Sequence, residues 1–286
     1  MLPGEFEYRR ATSVEEAVSL LAENEEAKLL AGGHSLLPMM KLHFAAPPML
    51  VDIGGIQDLA FTRQDGNSLV VGSMTTHAHI AASDAVEAEH GALAVAAASI
   101  GDVQVRNRGT IGGSLAHADP AADYGAATLA LDAQIELMGP NGQRSVDAAN
   151  FFSGFLSTSM EPAELITAIR FPSTENSVSV YEKFAQPASG FAIVGVAVKI
   201  TEQDNCCVAA RIAATGIADR PVRLPVVEEA LTGGELNDTA IVAAADQADA
   251  NLENVRVDMY AAEDYRRHLL RVMVRRAVVR AISTTG

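Results

Sequence analysis

The 286-residue chain has no tryptophan, two cysteines and only 5% aromatic residues. The cysteines, Cys206 and Cys207, are adjacent in a stretch that alternates like a strand, so their side chains are expected on opposite faces. A structural disulfide framework is thereby excluded. No Cys-x-x-Cys occurs, and histidines and carboxylates do not cluster at ligand spacing. The chain is expected to supply no metal ligands and no iron–sulfur site of its own, so redox chemistry needs an organic cofactor or a partner's metal. Basic residues are also scarce: 21 Lys+Arg stand against 36 Asp+Glu, a formal net charge of −15. Such a surface repels a phosphate backbone, and nucleic acid is excluded as a partner. Long apolar runs are missing too. The stretch over 191–198 falls well short of the roughly 20 residues that span a membrane. The opening "MLPGEFEYRR" carries acids where a signal peptide has its apolar segment. With 49% hydrophobic residues, the expectation is a cytoplasmic globular protein of two or three small domains, without an integral membrane segment.

Against these absences stands a regular alternation of strand and helix patterns. Ser13 with Glu16 three residues on forms a capping box, and Val14, Ala17, Val18 and Leu21 recur at helical spacing, predicting an amphipathic helix over 14–23. A short strand over 27–31 runs into Gly32-Gly33, and Ser35 is placed to cap the next helix. A strand over 49–53 ends at Gly54-Gly55, giving a small β-α-β-α-β unit. From Ser68 the pattern changes to a strand running into a helix, then an alanine-rich helix over 91–100 and a second glycine pair, Gly112-Gly113. A strand over 133–138, the turn "GPNG" and a strand over 165–171 follow. "STENSVS" reads as a linker, and 191–200 and 208–214 alternate as antiparallel strands. The domains expected are 1–57, 58–175 and 176–286. In the last helix Leu270, Met273, Val274, Ala277, Val278 and Ala281 share one face. Arg267, Arg271 and Arg275 form a basic stripe beside it, either a dock for an acidic partner or a solvated face.

The glycine pairs raise the chemical question. A strand that ends in Gly-Gly before a helix gathers free amides and the positive end of the helix dipole, an arrangement suited to phosphate oxygens, and a Cβ there would hold an anion off. One such turn is as readily idle; two suit the two phosphates of a dinucleotide. Neither G-x-G-x-x-G nor G-x-x-x-x-G-K-[ST] occurs, so a different dinucleotide fold is called for. Thr110 and Ser114 offer hydroxyls, and Asp123 an acceptor for a sugar-like hydroxyl, its alternative being a helix N-terminal carboxylate. His34, His77, His79 and His117 lie near the loops but fit no Ser-His-Asp arrangement. A satisfied loop histidine is the expectation for three of them, with His34 the exception. Arg106, Asn107 and Arg108 are either phosphate neutralisers or a solvated charge run.

The segments "LLAGGHSLLPMMKLHFAAPPMLVDI", "VRNRGTIGGSLAHADPAADY", "ELITAIRFP" and "YRRHLLRVMVRRAV", in this order and spacing, closely resemble the FAD-binding medium subunit of molybdenum hydroxylases, the aerobic carbon monoxide dehydrogenase and xanthine dehydrogenase family. The resemblance covers nearly the whole chain. It implies an α+β fold: a PCMH-type (vanillyl-alcohol-oxidase-like) FAD-binding unit of two subdomains, then a C-terminal α+β domain of the CO dehydrogenase flavoprotein type. It further implies noncovalent FAD. Its pyrophosphate would lie on Leu30, Ala31, Gly32, Gly33, His34, Ser35 and Leu36, with Gly109, Thr110, Gly112, Gly113, Ser114 and Ala116 contributed by the second loop. Asp123 matches the family's ribityl-binding acid, Ile100, Gly101 and Ile166 match positions near the flavin, and Lys183 falls where a lysine approaches the isoalloxazine. The chain departs from the family at Ser189-Gly190-Phe191, where many members read Gly-Asp-Tyr, and Phe191 has no hydroxyl to donate.

The division of labour implied by the resemblance places the organic chemistry in a large molybdopterin subunit. A small subunit with two [2Fe–2S] clusters relays electrons, and this chain's FAD passes them to an external acceptor, with no catalytic residue of its own toward organic substrate. The assembly implied is a dimer of heterotrimers. The alternatives are a stand-alone flavin oxidase or dehydrogenase of the same fold acting on a small alcohol or amine, and a flavin-less scaffold. The resemblance implies that substrate specificity lies in the large subunit.

Overall fold

A computed structural model describes residues 2–174 and 176–285. Met1, Gly286 and Glu175, the last within the predicted linker, lie outside the described residues. The chain opens with β1 (Glu7–Arg10), α1 (Val14–Glu23), β2 (Lys28–Leu30), α2 (Leu36–Lys41) and β3 (Met49–Asp52). β1 and β2 flank β3 and both run parallel to it. Ala17, Val18 and Leu21 of α1 are buried with Val51 and Ile53, the face that periodicity predicts. The Ser13 hydroxyl accepts from the Glu16 amide at 3.1 Å, but the Glu16 carboxylate returns to the amide of Thr12 at 2.7 Å, one residue before its capping-box partner. Ser35 does not cap α2: its backbone is already helical (φ −107°, ψ −53°) and its side chain makes no cap hydrogen bond, because a cap reaches the first-turn amides from an extended backbone.

The middle of the chain contains β4 (Thr62–Asp65), β5 (Ser68–Gly72), α3 (His77–Ala81), α4 (Asp84–Glu89), α5 (Gly91–Ala98), α6 (Val103–Arg108), α7 (Ile111–His117) and α8 (Asp123–Ala130). It continues through β6 (Gln134–Gly139), β7 (Gly142–Asp147), α9 (Ala148–Phe151), β8 (Phe152–Gly154), β9 (Ser157–Thr158) and β10 (Leu165–Pro172). A five-stranded antiparallel sheet, β4-β5-β10-β6-β7, carries the helices. β7 escapes sequence reading because, as an edge strand with mostly exposed residues, it has no apolar alternation to show. α5 is alanine-rich for a reason of space. Ala92, Leu93, Ala94, Ala96 and Ala97 are all buried, and a Cβ on Gly91 would lie 2.7 Å from the Ser179 carbonyl oxygen.

The C-terminal part comprises β11 (Ser177–Ala185), β12 (Ala192–Gln203), β13 (Cys206–Thr215), β14 (Val222–Arg223), α10 (Pro225–Leu231), α11 (Asp238–Ala245) and α12 (Glu263–Thr285). Its four strands form an antiparallel sheet in chain order. The expected in–out alternation is not what β12 shows: every residue from Ala192 to Val198 is buried. Both faces are covered. Val194, Val196 and Val198 pack with Leu270, Met273 and Val274 of α12, while Tyr181, Ala197 and Ala213 join Ala96 and Ala127 in the core of the preceding sheet. All six residues assigned to the apolar face of α12 are buried, at roughly 1.5–3 kcal/mol for a large aliphatic side chain.

Two of the three stripe arginines are engaged within the chain, while Arg275 is exposed. Arg271 grips both carboxylate oxygens of Asp249 at 2.7 and 2.8 Å, and Arg267 pairs with Glu263 and donates to the carbonyls of Asp249 and Leu252. These bonds tie the 249–252 turn to α12. Cys206 is exposed and Cys207 buried, on opposite faces as expected. Among the described residues no helix is long and apolar enough to cross a membrane.

Candidate functional site

The two glycine loops meet backbone to backbone. A Cβ on Gly32 would lie 2.3 Å from the Arg108 carbonyl oxygen and 2.7 Å from Gly109 Cα. One on Gly109 would strike His77 Nε2 at 2.5 Å, and one on Gly112 would meet Ser73 Cβ at 2.5 Å. These three glycines are bare because protein packs there. Gly33 sits at φ +75°, the left-handed region that favours glycine. Gly113 differs: its added Cβ would touch Thr110 Oγ1 at 2.9 Å and Ala31 Cβ at 3.6 Å.

The second pair also lies elsewhere than predicted. Gly112 and Gly113 are inside the first turn of α7, which follows α6 rather than a strand. Its amides are satisfied by protein: Ile111 N–H donates to Thr75 O at 3.1 Å, Gly112 N–H to Ser73 O at 2.9 Å and Gly113 N–H to Thr110 Oγ1 at 3.2 Å. The first loop is the one with free donors. Among the described residues the amides of Gly32, Gly33, His34 and Ser35 have no protein acceptor. Successive free amides around a left-handed residue form a concavity for an anion.

Two cavities open on either side of this junction. The first, about 220 Å³, is lined by Ala31, Gly32, Gly33, His34, Ser35, Leu36, Ile100, Gly101, Gly109, Thr110, Gly113, Ser114 and Asp123, thirteen of the residues singled out from sequence. The second, about 1060 Å³, is lined by Ala31, Leu36, Gly112, Gly113, Ala116 and Ile166. Leu30 and Lys183 line neither. Ser189, Gly190 and Phe191 do line the first. The turn they form is closed by Gln186, whose carbonyl accepts from Gly190 N–H at 2.9 Å and whose amide donates to Phe191 O at 2.8 Å. Leu29, His77, Val105, His117, Asp119 and Ala122 also line the first cavity but were not assigned from sequence. Asp119 carried a usable signal, lying between the glycine pair and Asp123. The second cavity's wall over 160–164 carried none, because it is built by irregular backbone.

Asp123, at the start of α8, is 4% exposed. Tyr181 donates to its Oδ1 at 2.7 Å, and Lys183 Nζ lies 2.8 Å from Oδ1 and 2.9 Å from Oδ2. Burial pushes the carboxyl above its usual range, while the ammonium and the two side-chain hydrogen bonds pull it back. Lys183 therefore reaches the cavity only through Asp123. His77 donates to or accepts from Tyr124 Oη at 2.9 Å, and burial lowers its pKa to about 4, so the ring is neutral at neutral pH. His34 Nδ1 lies 2.9 Å from Gly32 O. His117 borders both cavities, and His79 neither. Arg106 donates to the carbonyls of Ile100 and Gly101, pinning the cavity wall, while Asn107 and Arg108 are exposed.

Comparison with known proteins decides what this cleft belongs to. The family described as the FAD binding domain in molybdopterin dehydrogenase matches residues 4–174, and the CO dehydrogenase flavoprotein C-terminal domain matches 179–281. The chain belongs to the FAD-binding medium-subunit family of the molybdenum hydroxylases. It is 41% identical to the carbon monoxide dehydrogenase medium chain of Hydrogenophaga pseudoflava over 97% of each chain. It is 34% identical to the nicotine 6-hydroxylase medium subunit of Paenarthrobacter nicotinovorans over 97% of this chain and 98% of that one. A solved carbon monoxide dehydrogenase from Hydrogenophaga pseudoflava superposes with a TM-score of 0.95 at 42% identity, covering 99% of both chains. As a family member the chain is an FAD-binding oxidoreductase component, and the α+β fold and C-terminal domain type expected from its sequence are those found. The residues present fit FAD: the first loop offers unpaired amides for a diphosphate, Gly113 lines both cavities without a side chain, and Asp123 offers an oriented acceptor.

Proposed function

We propose that this medium subunit takes electrons from a small [2Fe–2S] subunit and passes them to an external acceptor, within a heterotrimer completed by a large molybdopterin subunit, two heterotrimers pairing in a cytoplasmic complex. The observation that supports it is the full-length match to medium chains. Bound FAD supplies the redox chemistry, accepting electrons singly and releasing them in pairs. This chain's residues hold and shield it. The amides of Gly32, Gly33, His34 and Ser35 bind the diphosphate, and Thr110, Ser114 and Asp123 meet hydroxyls and phosphate along the cleft. Ile100, Gly101 and the Ser189–Phe191 turn border the ring, excluding water from its face. Gly113, Ala116 and Ile166 line the way into the larger cavity, which accommodates the remaining end.

The test is reconstitution. Purified alone, the chain binds FAD noncovalently yet leaves it oxidised with carbon monoxide, N-heterocycles, purines or aldehydes, and addition of the two partner subunits allows flavin reduction by the complex's substrate. Rapid substrate-dependent reduction by the isolated chain would instead support a stand-alone flavin enzyme, the reading that its similarity to medium chains disfavours.

A further inference from the structure

We infer that Tyr181 and Lys183, neither of which lines a cavity, are the positioning pair for Asp123, and that Gly195 lacks a side chain so that the Tyr181 hydroxyl can reach it. The inference rests on the FAD reading, in which Asp123 accepts from a polyol hydroxyl. Both residues stand on β11, two positions apart and hence on one face, and Lys183 pairs in register with Gly195 on β12. A Cβ on Gly195 would lie 2.2 Å from the Tyr181 hydroxyl oxygen and 2.9 Å from Thr215 Cγ2. Glycine inside a buried strand forfeits packing and costs backbone entropy, so its presence in β12 needs a reason. The phenol is that reason.

The pair does two things. It fixes the carboxylate's rotamer with a donor on Oδ1 and a cation across both oxygens, leaving acceptor capacity for a hydroxyl in the cavity. It also cancels the acid's charge. In a chain of net −15, an unpaired carboxylate in that wall would repel a diphosphate nearby, and Lys183 removes the repulsion without entering the site. Lys183 Nζ also donates to Ser99 O at 3.0 Å, next to the Ile100–Gly101 wall. The acid belongs to α8 and its two partners to the C-terminal sheet, so the C-terminal part tunes the cleft from behind.

The test uses the full chain stripped of flavin, with FAD affinity measured by fluorescence quenching between pH 5 and 9. Tyr181→Phe should weaken FAD about tenfold at pH 7 and make affinity fall more steeply toward low pH than in wild type, because a carboxyl short of one donor protonates more readily. Gly195→Ala, which displaces the hydroxyl, should give the same profile, and the double variant should be no worse than either alone. Additive losses, or weakening with an unchanged pH dependence, would mean ordinary packing damage and overturn the inference. Unchanged affinity in Tyr181→Phe would overturn it too. A wild-type chain that binds no FAD would sink the flavin reading itself, a separate outcome.

Discussion

Two glycines of the cleft separate structural from ligand demands, and replacing each by alanine should split stability from affinity. At Gly32 the added methyl would stand 2.3 Å from a backbone oxygen of the other loop, a group that cannot swing aside. The loops must part, at the cost of overpacking, about 1–3 kcal/mol. In a chain of this size that is a loss of roughly 2–10 °C in melting temperature for the flavin-free protein. At Gly113 the methyl meets the end of the Thr110 side chain, which can rotate. Disturbing that cap costs about 1 kcal/mol, and exchanging glycine for alanine inside a helix returns about as much. Gly113→Ala should therefore melt within about 2 °C of wild type without flavin, while its methyl narrows the junction of the two cavities and weakens FAD at least about tenfold, or 1.4 kcal/mol. Circular dichroism melts of the apo proteins and flavin titrations read the two quantities separately. The reasoning fails if Gly32→Ala melts like wild type, or if Gly113→Ala loses stability yet keeps its FAD affinity.

Acid should destabilise the fold before its carboxylates titrate. Burial lowers His77 and His90 from 6.5 to about 4, so the unfolded chain takes up these protons first; their contribution is full above pH 6.5 and lost as pH falls toward 4, on the order of 3 kcal/mol each. His90→Phe should flatten part of that slope in denaturant titrations between pH 5 and 6.5, and an unchanged slope would count against the assignment. Arg266, 2% exposed, donates to Ile193 O at 2.6 Å and Gly216 O at 2.7 Å and pairs with Asp258. Arg266→Leu strands those acceptors and should cost about 3–5 kcal/mol, seen as a lower denaturant midpoint at unchanged slope; a loss below about 1 kcal/mol would refute the role. On α12, Leu270→Ala should cost about 2–5 kcal/mol, whereas Val279→Ala, at 43% exposure, should stay within about 0.5 kcal/mol; equal losses would mean the helix faces are misassigned.

How far the fold is legible depends on whether a residue's reason is local. The α1 cap, the apolar face of α12 and the strand entering the first glycine loop follow from spacing between near neighbours, and the structure has them. What sequence cannot show is distant approach. Gly32 is bare because of Arg108, Gly109 because of His77, and Gly195 because of Tyr181; no pattern in the chain announces these partners. The same limit explains Lys183, whose partner Asp123 lies 60 residues away, and Arg271, whose acid partner Asp249 lies outside the helix. β12 looked one-sided for a related reason: its second cover comes from α5 and α8, far earlier in the chain.

That doubly covered strand has a practical consequence for anyone dividing the protein. A fragment ending near residue 174 would leave Ala96 and Ala127 facing water where Tyr181, Ala197 and Ala213 now sit, and would strip the buried Asp123 of its counter-ion. Expressed alone, the front half should be sticky and colourless. The seam between the two family matches is not a place where the molecule comes apart.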